Sequence, residues 1–235
     1  MKRKAVIIRN NKYNNTFAAV IIAFGIVSLM GAAAWSARNL AEDFSAGQVS
    51  RKTAEKLEKI IEAASDTDCG EMSSGELVSS CTPELMEMPT FEINGAAYIG
   101  VLEIPSKMLF LPVCCDWNYD NLSISPCRYS GSYFTDDMVI CAHDFGSHFR
   151  GIRSLNIGDT VFFTAKKRKK IKYIVTNIET VYPNEVEKMI LNTKPDGSGH
   201  LWDMTLFTCN IGGGTRCAVR LERIKEPLNK SRPAD

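Results

Sequence analysis

The sequence predicts a mainly β domain, folded as a closed or nearly closed barrel, that is preceded by a transmembrane helix near the N-terminus. Two observations lead to this fold class. From Phe91 onward, seven or eight short runs of β-forming residues alternate with turn residues, and few segments there show helical periodicity. Before them lies an uncharged apolar segment long enough to cross a bilayer. The net charge of +1 over 235 residues gives no global reason to expect a nucleic-acid partner.

Residues 1–16 and 17–37 are expected to be a cytoplasmic N-terminus and a membrane anchor. Phe17 to Trp35 contain no charged residue, and as a helix they would span roughly 28 Å, close to the thickness of a bilayer core. Five basic residues and no acidic residue precede them, so the positive-inside bias predicts that the rest of the chain lies outside the cell. A cleaved signal peptide is the alternative, because the small residues Gly31 to Ala34 resemble a cleavage site. Under either interpretation, the remainder of the chain is exported.

Residues 38–90 are expected to hold a stalk helix and a linker. Ser50 to Ser65 place three aliphatic residues at helical spacing between charged ones, namely Leu57, Ile60 and Ile61. This pattern suggests a helix that rests on the main domain. Residues 64–90 are rich in Ser, Gly, Asp and Glu, which is typical of a linker of low order.

The barrel domain is expected to occupy residues 91–226, with residues 227–235 as a C-terminal tail. Its predicted strands are, in chain order, the runs YIGVLEI, MLFLPVCC, Met138 to Ala142, DTVFFTA, IKYIVTNIETVY, WDMTLFTC and TRCAVRLERI. DTVFFTA and IKYIVTNIETVY are expected to form a hairpin across the basic run Lys166 to Lys170. A solvated turn is the simplest interpretation of this run, and contact with anionic lipid or wall polymer is the alternative. One short helix is predicted, with Ser147 as its cap and three apolar residues on one face, Phe149, Ile152 and Leu155.

Eight cysteines in an exported chain raise the question of disulfides. Cys114, Cys141 and Cys217 lie in apolar strand-like runs, where a free cysteine behaves as a small hydrophobe. Cys69 and Cys81 lie in the polar linker and can pair. No Cys-x-x-Cys pair occurs, so a zinc ribbon and a thioredoxin-type motif are unsupported. The sequence alone does not decide which cysteines form disulfides.

The last two predicted strands bring a thiol and a guanidinium together. Six residues, Asn210 to Thr215, join Cys209 to Arg216, and three of them are glycines that allow the positive φ values of a tight connection. If the hairpin closes symmetrically, Cys209 and Arg216 stand opposite each other on one face, with Cβ atoms roughly 5 Å apart. Arg216 can then stabilise the oxyanion that forms when the sulfur attacks a carbonyl. Taken alone, the two residues have plainer interpretations, as a core thiol and a surface charge.

A general base would complete such an acyl-transfer site. His143 follows the apolar run Met138 to Ala142 at the mouth of a strand, and histidine is the side chain best suited to shuttle protons near neutral pH. The other two histidines are His148, at the start of the predicted short helix, and His200, in a loop. A metal site formed by His143, Asp144 and His148 is conceivable, but no further ligand occurs at a useful spacing. We therefore expect no metal and no cofactor.

Four motifs together resemble the sortase family, the membrane-anchored cysteine transpeptidases of Gram-positive bacteria. TLFTC at Thr205 to Cys209 resembles the family's Thr-Leu-x-Thr-Cys signature, and RCAVR resembles its arginine strand. VICAHD resembles the strand that delivers the histidine, and IGVLEIPSKMLFLPV at Ile99 to Val113 is similar to the opening strands. The order His, Cys, Arg is also that of the family, whereas papain-like enzymes place the cysteine before the histidine. The resemblance covers about Ala97 to Arg223, together with the anchor upstream.

The resemblance implies an eight-stranded β-barrel with short helices, and roles for four residues. Cys209 would be the nucleophile, His143 the general acid/base, and Arg216 the substrate clamp and oxyanion stabiliser. Arg220 is the rival for the arginine role and ranks second, because it lies two pleats further from Cys209. Thr208, directly before the cysteine, matches a residue that helps to shape the family's peptide groove.

The resemblance also implies a reaction and its partners. The enzyme would cleave a C-terminal sorting signal like Leu-Pro-x-Thr-Gly (LPXTG) after the threonine, through a thioacyl intermediate, and join the protein to an amine. The expected partners are surface proteins that bear such a signal, with a peptidoglycan precursor or a pilin lysine as the acceptor. The catalytic domain would act outside the cell, held by a single-pass helix whose N-terminus is cytoplasmic.

Three alternatives to an anchoring sortase stay open. Pilin-building sortases usually carry an Asp-Pro-aromatic lid upstream of the barrel, and no such tripeptide occurs here; this favours anchoring over the first alternative, a pilin-polymerising sortase. A thiol hydrolase would use the same three residues with water in place of the amine. An inactive barrel would only bind peptides or wall components. The region from Tyr182 to Asp203 is expected to shape the choice of sorting signal, as the corresponding loop does in the family.

Overall fold

The structure, a computed structural model, describes residues 2–66, 88–166, 170–194, 197–210 and 212–225. The chain divides into two compact units, Met1–Phe44 and Ser45–Asp235. Helix α1 covers Lys2–Asp66, so the predicted anchor and the predicted stalk both lie in it. Most of the predicted linker, including Cys69 and Cys81, lies outside the described residues, as do the middle of the basic run and the C-terminal tail.

In the first unit, α1 has the length and composition of a membrane anchor or of a signal segment. Thr16–Ala64 contains an 18-residue window with a mean hydropathy of 2.4, and none of that window is buried. The large apolar side chains of Phe17, Phe24 and Leu29 are 68%, 74% and 72% exposed. A membrane anchor and a signal segment both have such a long apolar surface, which is unfavourable in water.

Nine strands are found in the described part of the second unit, and eight of them close into a barrel. In chain order they are β1 Phe91–Ile93, β2 Ala96–Ile104, β3 Leu109–Cys114, β4 Cys127–Ser130, β5 Met138–Cys141, β6 Thr160–Thr164, β7 Lys170–Val181, β8 Met204–Cys209 and β9 Arg216–Arg223. Hydrogen-bonded neighbours follow the order β1-β2-β3-β4-β5-β8-β9-β7-β6, and β6 also pairs with β2. Strands β2 to β9 therefore form a closed ring, with β1 as an extra strand on β2. The predicted eight-stranded barrel is confirmed.

Two parallel joints in this barrel position the candidate site. Strands β3 and β4 meet at a single parallel pair, Cys114 with Cys127. Strands β5 and β8 are parallel over four pairs, which end with Cys141 opposite Phe207. Because parallel strands end at the same edge of a sheet, the residues that follow β5 lie beside the end of β8.

Alternating side chains separate an inner core from an outer cluster. On the inner face Ile140, Leu206 and Val219 are fully buried in the barrel core. On the outer face of the same strands, Phe207 and Ala218 belong to a second apolar cluster. The period of two along each strand produces this division, since successive side chains point to opposite faces.

Within the second unit, the last turns of α1 cover the outer cluster. Ala54, Leu57 and Ile61 are 0%, 0% and 1% exposed, and they pack in that cluster. Full burial of one leucine or isoleucine side chain stabilises a fold by roughly 1.5–3 kcal/mol. The prediction that a helix rests on the main domain is confirmed for these residues.

The short helices differ in part from the prediction. The predicted helix is a 3-10 helix, Arg150–Ser154, and its N-cap residue is Phe149, without a side-chain capping bond. The prediction that Ser147 caps it is therefore wrong, because the helix begins two residues later. Its apolar face is as predicted, since residues three apart also share a face in a 3-10 helix, and the three residues there are buried: Phe149, Ile152 and Leu155.

Further short helices occur in the connections. They are α2 Tyr119–Ile124, α3 Glu187–Ile190, and 3-10 turns at Pro105–Lys107 and Pro183–Glu185. Helix α2 is capped by Asn118, whose side chain accepts a hydrogen bond from the backbone N–H of Asn121 at 2.8 Å. Segments of three to six residues are too short to display helical periodicity, which is why the sequence did not predict them.

Candidate active site

The glycine turn between β8 and β9 places Cys209 opposite Arg216. These two residues are the last pair in the antiparallel register, as the sequence predicts. Asn210 closes the turn by donating its backbone N–H to the carbonyl of Thr215 at 2.9 Å. Gly212 has a φ of 85°, in the left-handed region that glycine adopts without steric cost. Side chains opposed in a hairpin share a face, and both Cys209 and Arg216 line one cavity.

Arg216 is held by the turn that it follows. Its Nη1 donates to the carbonyl oxygens of Gly213 and Thr215, at 2.9 and 3.2 Å. A guanidinium has five N–H donors in a planar fork, and these two contacts use one nitrogen. The side chain is thus restrained at one end while it lines the same cavity as Cys209.

The parallel joint of β5 and β8 brings His143 level with Cys209. The register pairs Cys141 with Phe207, and the backbone N–H of Ala142 donates to the carbonyl of Phe207 at 3.2 Å. Continued by two residues, the same register places His143 beside the end of β8. The His143 ring is half-buried and lies 5.0 Å from the Phe145 ring. Burial lowers the pKa of His143, because a charged imidazolium is less well solvated there.

Thr208 lies between the nucleophile candidate and the histidine segment. Its side chain is 1% exposed, and its Oγ1 donates to the carbonyl of Ala142 at 2.8 Å. The hydroxyl therefore ties β8 to the residue that precedes His143. Thr208 also lines the cavity, beside Cys209.

Arg153 is a site residue that sequence reasoning missed. It lies on the 3-10 helix, and its Nη1 donates to the backbone carbonyl of Cys209 at 3.1 Å. The same nitrogen lies 2.8 Å from Oδ1 of Asp144, the residue after His143. Arg153 thus connects the two strand ends that carry the thiol and the imidazole. No local sequence signal marks it, because 56 residues separate it from Cys209.

Arg220, the second candidate for the catalytic arginine, makes its contacts away from Cys209. Its side chain is completely buried and pairs with Glu179 Oε1 at 2.7 Å. It also donates to Thr205 Oγ1 at 2.8 Å and to the carbonyl of Lys188 at 2.7 Å, and its guanidinium lies 3.9 Å from the centre of the Trp202 ring. These contacts anchor the segment that follows β7 onto the barrel. Among the described residues, Arg220 does not line the cavity of Cys209.

The cavity beside Cys209 has a volume of about 310 Å³ and two kinds of wall. One end is polar and carries His143, Thr208, Cys209 and Arg216. The other walls are apolar and aromatic, and their residues include Trp117, Tyr119, Leu122, Tyr129, Val186 and Met189. Trp117 stacks on Tyr129 with ring centres 5.6 Å apart, and Tyr129 meets Phe207 edge to face at 5.4 Å. The cavity therefore suits an extended apolar chain with a reacting carbonyl at one end.

The apolar walls come from two connections, and the sequence predicted a role for only one of them. The predicted specificity region, Tyr182 to Asp203, supplies Val186 and Met189. The segment between β3 and β4 supplies Trp117, Tyr119 and Leu122, and the sequence analysis did not predict it. Its aromatic residues were the only signal, since no motif marks them.

In the described part of the chain, no three His, Cys, Asp or Glu side chains come together to hold a metal ion. The conceivable set of His143, Asp144 and His148 does not converge. Asp144 pairs with Arg153, and His148 is buried with its ring 5.5 Å from Phe145.

Comparisons with known proteins give one family. The family model described as "Sortase domain" matches residues 102–223, just over half of the chain. A sortase D5 transpeptidase from Clostridium perfringens is similar at 17% identity and a TM-score of 0.51, over 76% of this chain and 99% of that one; this likeness supports the fold alone. Sortase C1 from Streptococcus suis has 26% identity and a TM-score of 0.45, over 57% of this chain and 76% of that one. Sortase A from Corynebacterium diphtheriae has 17% identity and a TM-score of 0.48, over 82% and 95%. No curated protein sequence matches.

Proposed function

This chain belongs to the sortase family of cysteine transpeptidases, and from that premise we propose that Cys209, His143 and Arg216 carry its reaction. The observation that supports this most directly is the cross-strand pair of Cys209 and Arg216, at a cavity that His143 also lines. A nucleophile, a proton carrier and a fixed cation beside one cavity are the groups that acyl transfer requires.

The acyl substrate is a C-terminal sorting signal like Leu-Pro-x-Thr-Gly on a surface protein. The apolar wall formed by residues such as Trp117, Leu122 and Val186 suits the leucine and proline side chains, because burying aliphatic groups there is favourable. The threonine carbonyl then lies at the polar end, next to the Cys209 sulfur. Thr208 supports that end by fixing the backbone before His143.

Acylation begins with attack of the Cys209 sulfur on the threonine carbonyl carbon. His143 takes the thiol proton, which its neutral form is able to accept because burial lowers the pKa of His143. Arg216 donates to the oxyanion from a guanidinium that the turn already restrains. The imidazolium then protonates the glycine nitrogen, the C–N bond breaks, and a thioester joins the threonine to Cys209.

Deacylation runs through the same groups in reverse. An amine of a peptidoglycan precursor attacks the thioester carbonyl while His143 accepts a proton from it, and the Cys209 thiolate leaves. The new amide joins the surface protein to the wall. A pilin lysine in place of the wall amine would make the enzyme a pilin polymerase, and water would make it a hydrolase, so the identity of the product distinguishes these cases.

The enzyme acts at the outer face of the cell membrane. Residues 1–16 are cytoplasmic, residues 17–37 cross the membrane, residues 38–90 form the stalk and linker, and the catalytic barrel of residues 91–226 lies outside, followed by the tail of residues 227–235. The five basic residues before the apolar window of α1 support this orientation. Surface proteins in transit meet the enzyme there.

The test uses full-length protein in detergent with Leu-Pro-x-Thr-Gly-type peptides and an amine acceptor. Intact-mass spectrometry follows the protein and the peptide together. We expect a thioacyl adduct on wild-type protein that passes to the amine, no adduct on Cys209→Ala, and slow adduct formation on His143→Ala and Arg216→Ala. Equal adduct formation on Cys209→Ala and wild type would contradict the assignment of the nucleophile.

A further inference from the structure

Three cysteines on neighbouring strands form a row that the proposed reaction does not use. Cys127 on β4 is paired with Cys114 on β3 and with Cys141 on β5. Directly paired residues share a face of a sheet, so the three thiols lie side by side in the outer cluster, beneath the end of α1. Cys114 and Cys127 are 0% exposed and Cys141 is 5% exposed.

The pair of Cys114 and Cys127 lies at the base of a segment that forms part of the cavity wall. Cys114 and Cys127 are the single residue pair that joins β3 to β4, and the backbone N–H of Cys114 donates to the carbonyl of Pro126 at 2.8 Å. Residues 115–126, which they bracket, carry Trp117, Tyr119 and Leu122 of the cavity wall. The two cysteines therefore lie at the base of this aromatic segment.

We propose that Cys114 and Cys127 form a disulfide in the exported protein, and that this bond clamps the aromatic wall of the cavity. Adjacent strands lie roughly 4.8 Å apart, which falls in the range of about 4.4–6.8 Å between Cα atoms that a disulfide spans. The two side chains lie close enough for each to shift the pKa of the other. Bond formation thus requires no rearrangement of the strands.

Cys141 is the less suitable partner for Cys127, although it is also paired with it. The thiol of Cys141 donates to the backbone carbonyl of Cys127 at 3.5 Å, whereas the Cys127 thiol donates to the backbone carbonyl of Ser125 at 3.4 Å, within the segment that Cys114 and Cys127 bracket. Burial raises the pKa of Cys141 to about 12, so in the folded domain little Cys141 thiolate is present to exchange with its neighbours.

The oxidant of the two cysteines is an external disulfide, on a thiol-oxidising protein or a small molecule, and it acts by thiol–disulfide exchange. The Cys127 sulfur attacks that disulfide and forms a mixed disulfide, with release of one thiol. The Cys114 thiolate then attacks the Cys127 sulfur, forms the new S–S bond and releases the second thiol. The two cysteines lose two protons and two electrons, and the external disulfide is reduced to two thiols. Because both sulfurs are buried in the folded domain, the exchange takes place while the exported chain folds.

The test is a peptide map of full-length protein isolated from membranes of cells that export it. Thiols are alkylated during unfolding without reductant, and the protein is then digested. We expect the peptide that contains Cys114 to be joined to the one that contains Cys127, and to be released by a reductant. Alkyl groups on both cysteines, or a link from Cys127 to Cys141, would overturn the proposal.

Matched variants separate this bond from its neighbours. Cys114→Ala is expected to leave Cys127 alkylated, whereas Cys141→Ala, in the same row, is expected to keep the link. If Cys114→Ala does not fold, the wild-type map still decides whether the bond exists.

The effect of the disulfide on catalysis rests on the proposed function, and a separate kinetic experiment measures it. Wild-type protein with the link is expected to have a KM for the sorting peptide several-fold lower than the same protein folded under reducing conditions, with little change in kcat. Equal KM values for the two preparations would refute the clamp, and the peptide map would still report whether the disulfide exists. A mapped bond in a protein without transpeptidase activity would contradict the proposed function alone.

Discussion

Arg153 donates a hydrogen bond from Nη1 to the backbone carbonyl oxygen of Cys209, with 3.1 Å between the two atoms. The same nitrogen lies 2.8 Å from a carboxylate oxygen of Asp144. The guanidinium of Arg153 thus bridges the ends of β5 and β8, where the proposed general base and the proposed nucleophile lie. Arg153 does not line the cavity in the described residues, so we assign it a positioning role.

Arg153→Ala is expected to slow thioacyl formation by about tenfold or more, since a hydrogen bond to a charged group contributes roughly 1.5–3 kcal/mol. The loss should appear in kcat rather than in KM, and Arg153→Lys should restore part of it. Rapid-quench measurement of adduct formation is the check. The matched control is Arg150→Ala, since Arg150 contacts Asp144 from a more exposed position. Equal effects of the two alanine variants would remove Arg153 from this role.

Arg216→Ala is expected to lower kcat by about 10²–10³, the usual effect of removing one oxyanion donor. The turn carbonyls of Gly213 and Thr215 that Arg216 contacts are exposed or part-buried, so the melting temperature should change little. Arg216→Lys keeps the charge without the planar fork and should recover only part of the rate. Steady-state kinetics with a saturating sorting peptide measures this, and a wild-type rate for Arg216→Ala would refute the oxyanion role.

Thr208→Val is expected to reduce both stability and activity. The substitution keeps the shape but removes the buried hydroxyl that donates to Ala142, at a cost of roughly 1–3 kcal/mol. For a domain of this size that cost corresponds to a loss of about 2–4 °C in Tm per kcal/mol. Differential scanning calorimetry and adduct kinetics are the measurements. Thr176→Val is the control, because Thr176 also bonds a backbone carbonyl, that of Arg220, but is less buried; a similar loss in both variants would mean that Thr208 has no special role.

Arg220→Ala is expected to destabilise the domain strongly while leaving the Cys209 site chemically complete. Removing one partner of a buried ion pair costs about 3–5 kcal/mol, and the cost here should fall below that range because Glu179 is 34% exposed. The segment that carries Met189 also loses its anchor on Arg220, so selectivity among sorting peptides should weaken. Chemical denaturation and a peptide panel test the two effects. Lys188→Ala removes only an exposed ion pair and should cost no more than about 1 kcal/mol; if Arg220→Ala costs no more than this, its anchoring role is refuted.

The pH dependence of kcat/KM should have an acid limb that belongs to His143. Burial lowers the pKa of His143, so the limb should lie below the ordinary histidine pKa of about 6.5. Activity should fall as the pH drops through that lowered value, because the imidazole becomes protonated and no longer accepts the thiol proton. The unfolded state binds more protons in the window between the two pKa values, so stability should also fall as the pH drops. A rate profile that stays flat through this window would exclude His143 from proton transfer.

The sequence by itself determined the features that depend on neighbouring residues. The pairing of Cys209 with Arg216 follows from a short glycine connection, because a hairpin closes across its own turn. The strand-like runs, the apolar helix and the buried face of the 3-10 helix follow from local periodicity. Along with the resemblance of four motifs to one family, these patterns predicted the barrel and the candidate catalytic residues.

Only the tertiary structure decided the features that join distant segments. Arg153 meets Cys209 across 56 residues, and Arg220 is drawn away from the cavity by Glu179 and the carbonyl of Lys188. Neither position carries a local signal, since an arginine on a strand or a short helix has the same sequence pattern whatever it contacts. The parallel pairing of β5 with β8 brings the segment of Arg153 to Cys209, and the antiparallel pairing of β7 with β9 brings Glu179 to Arg220. Pairing across such long connections depends on the packing of the whole barrel.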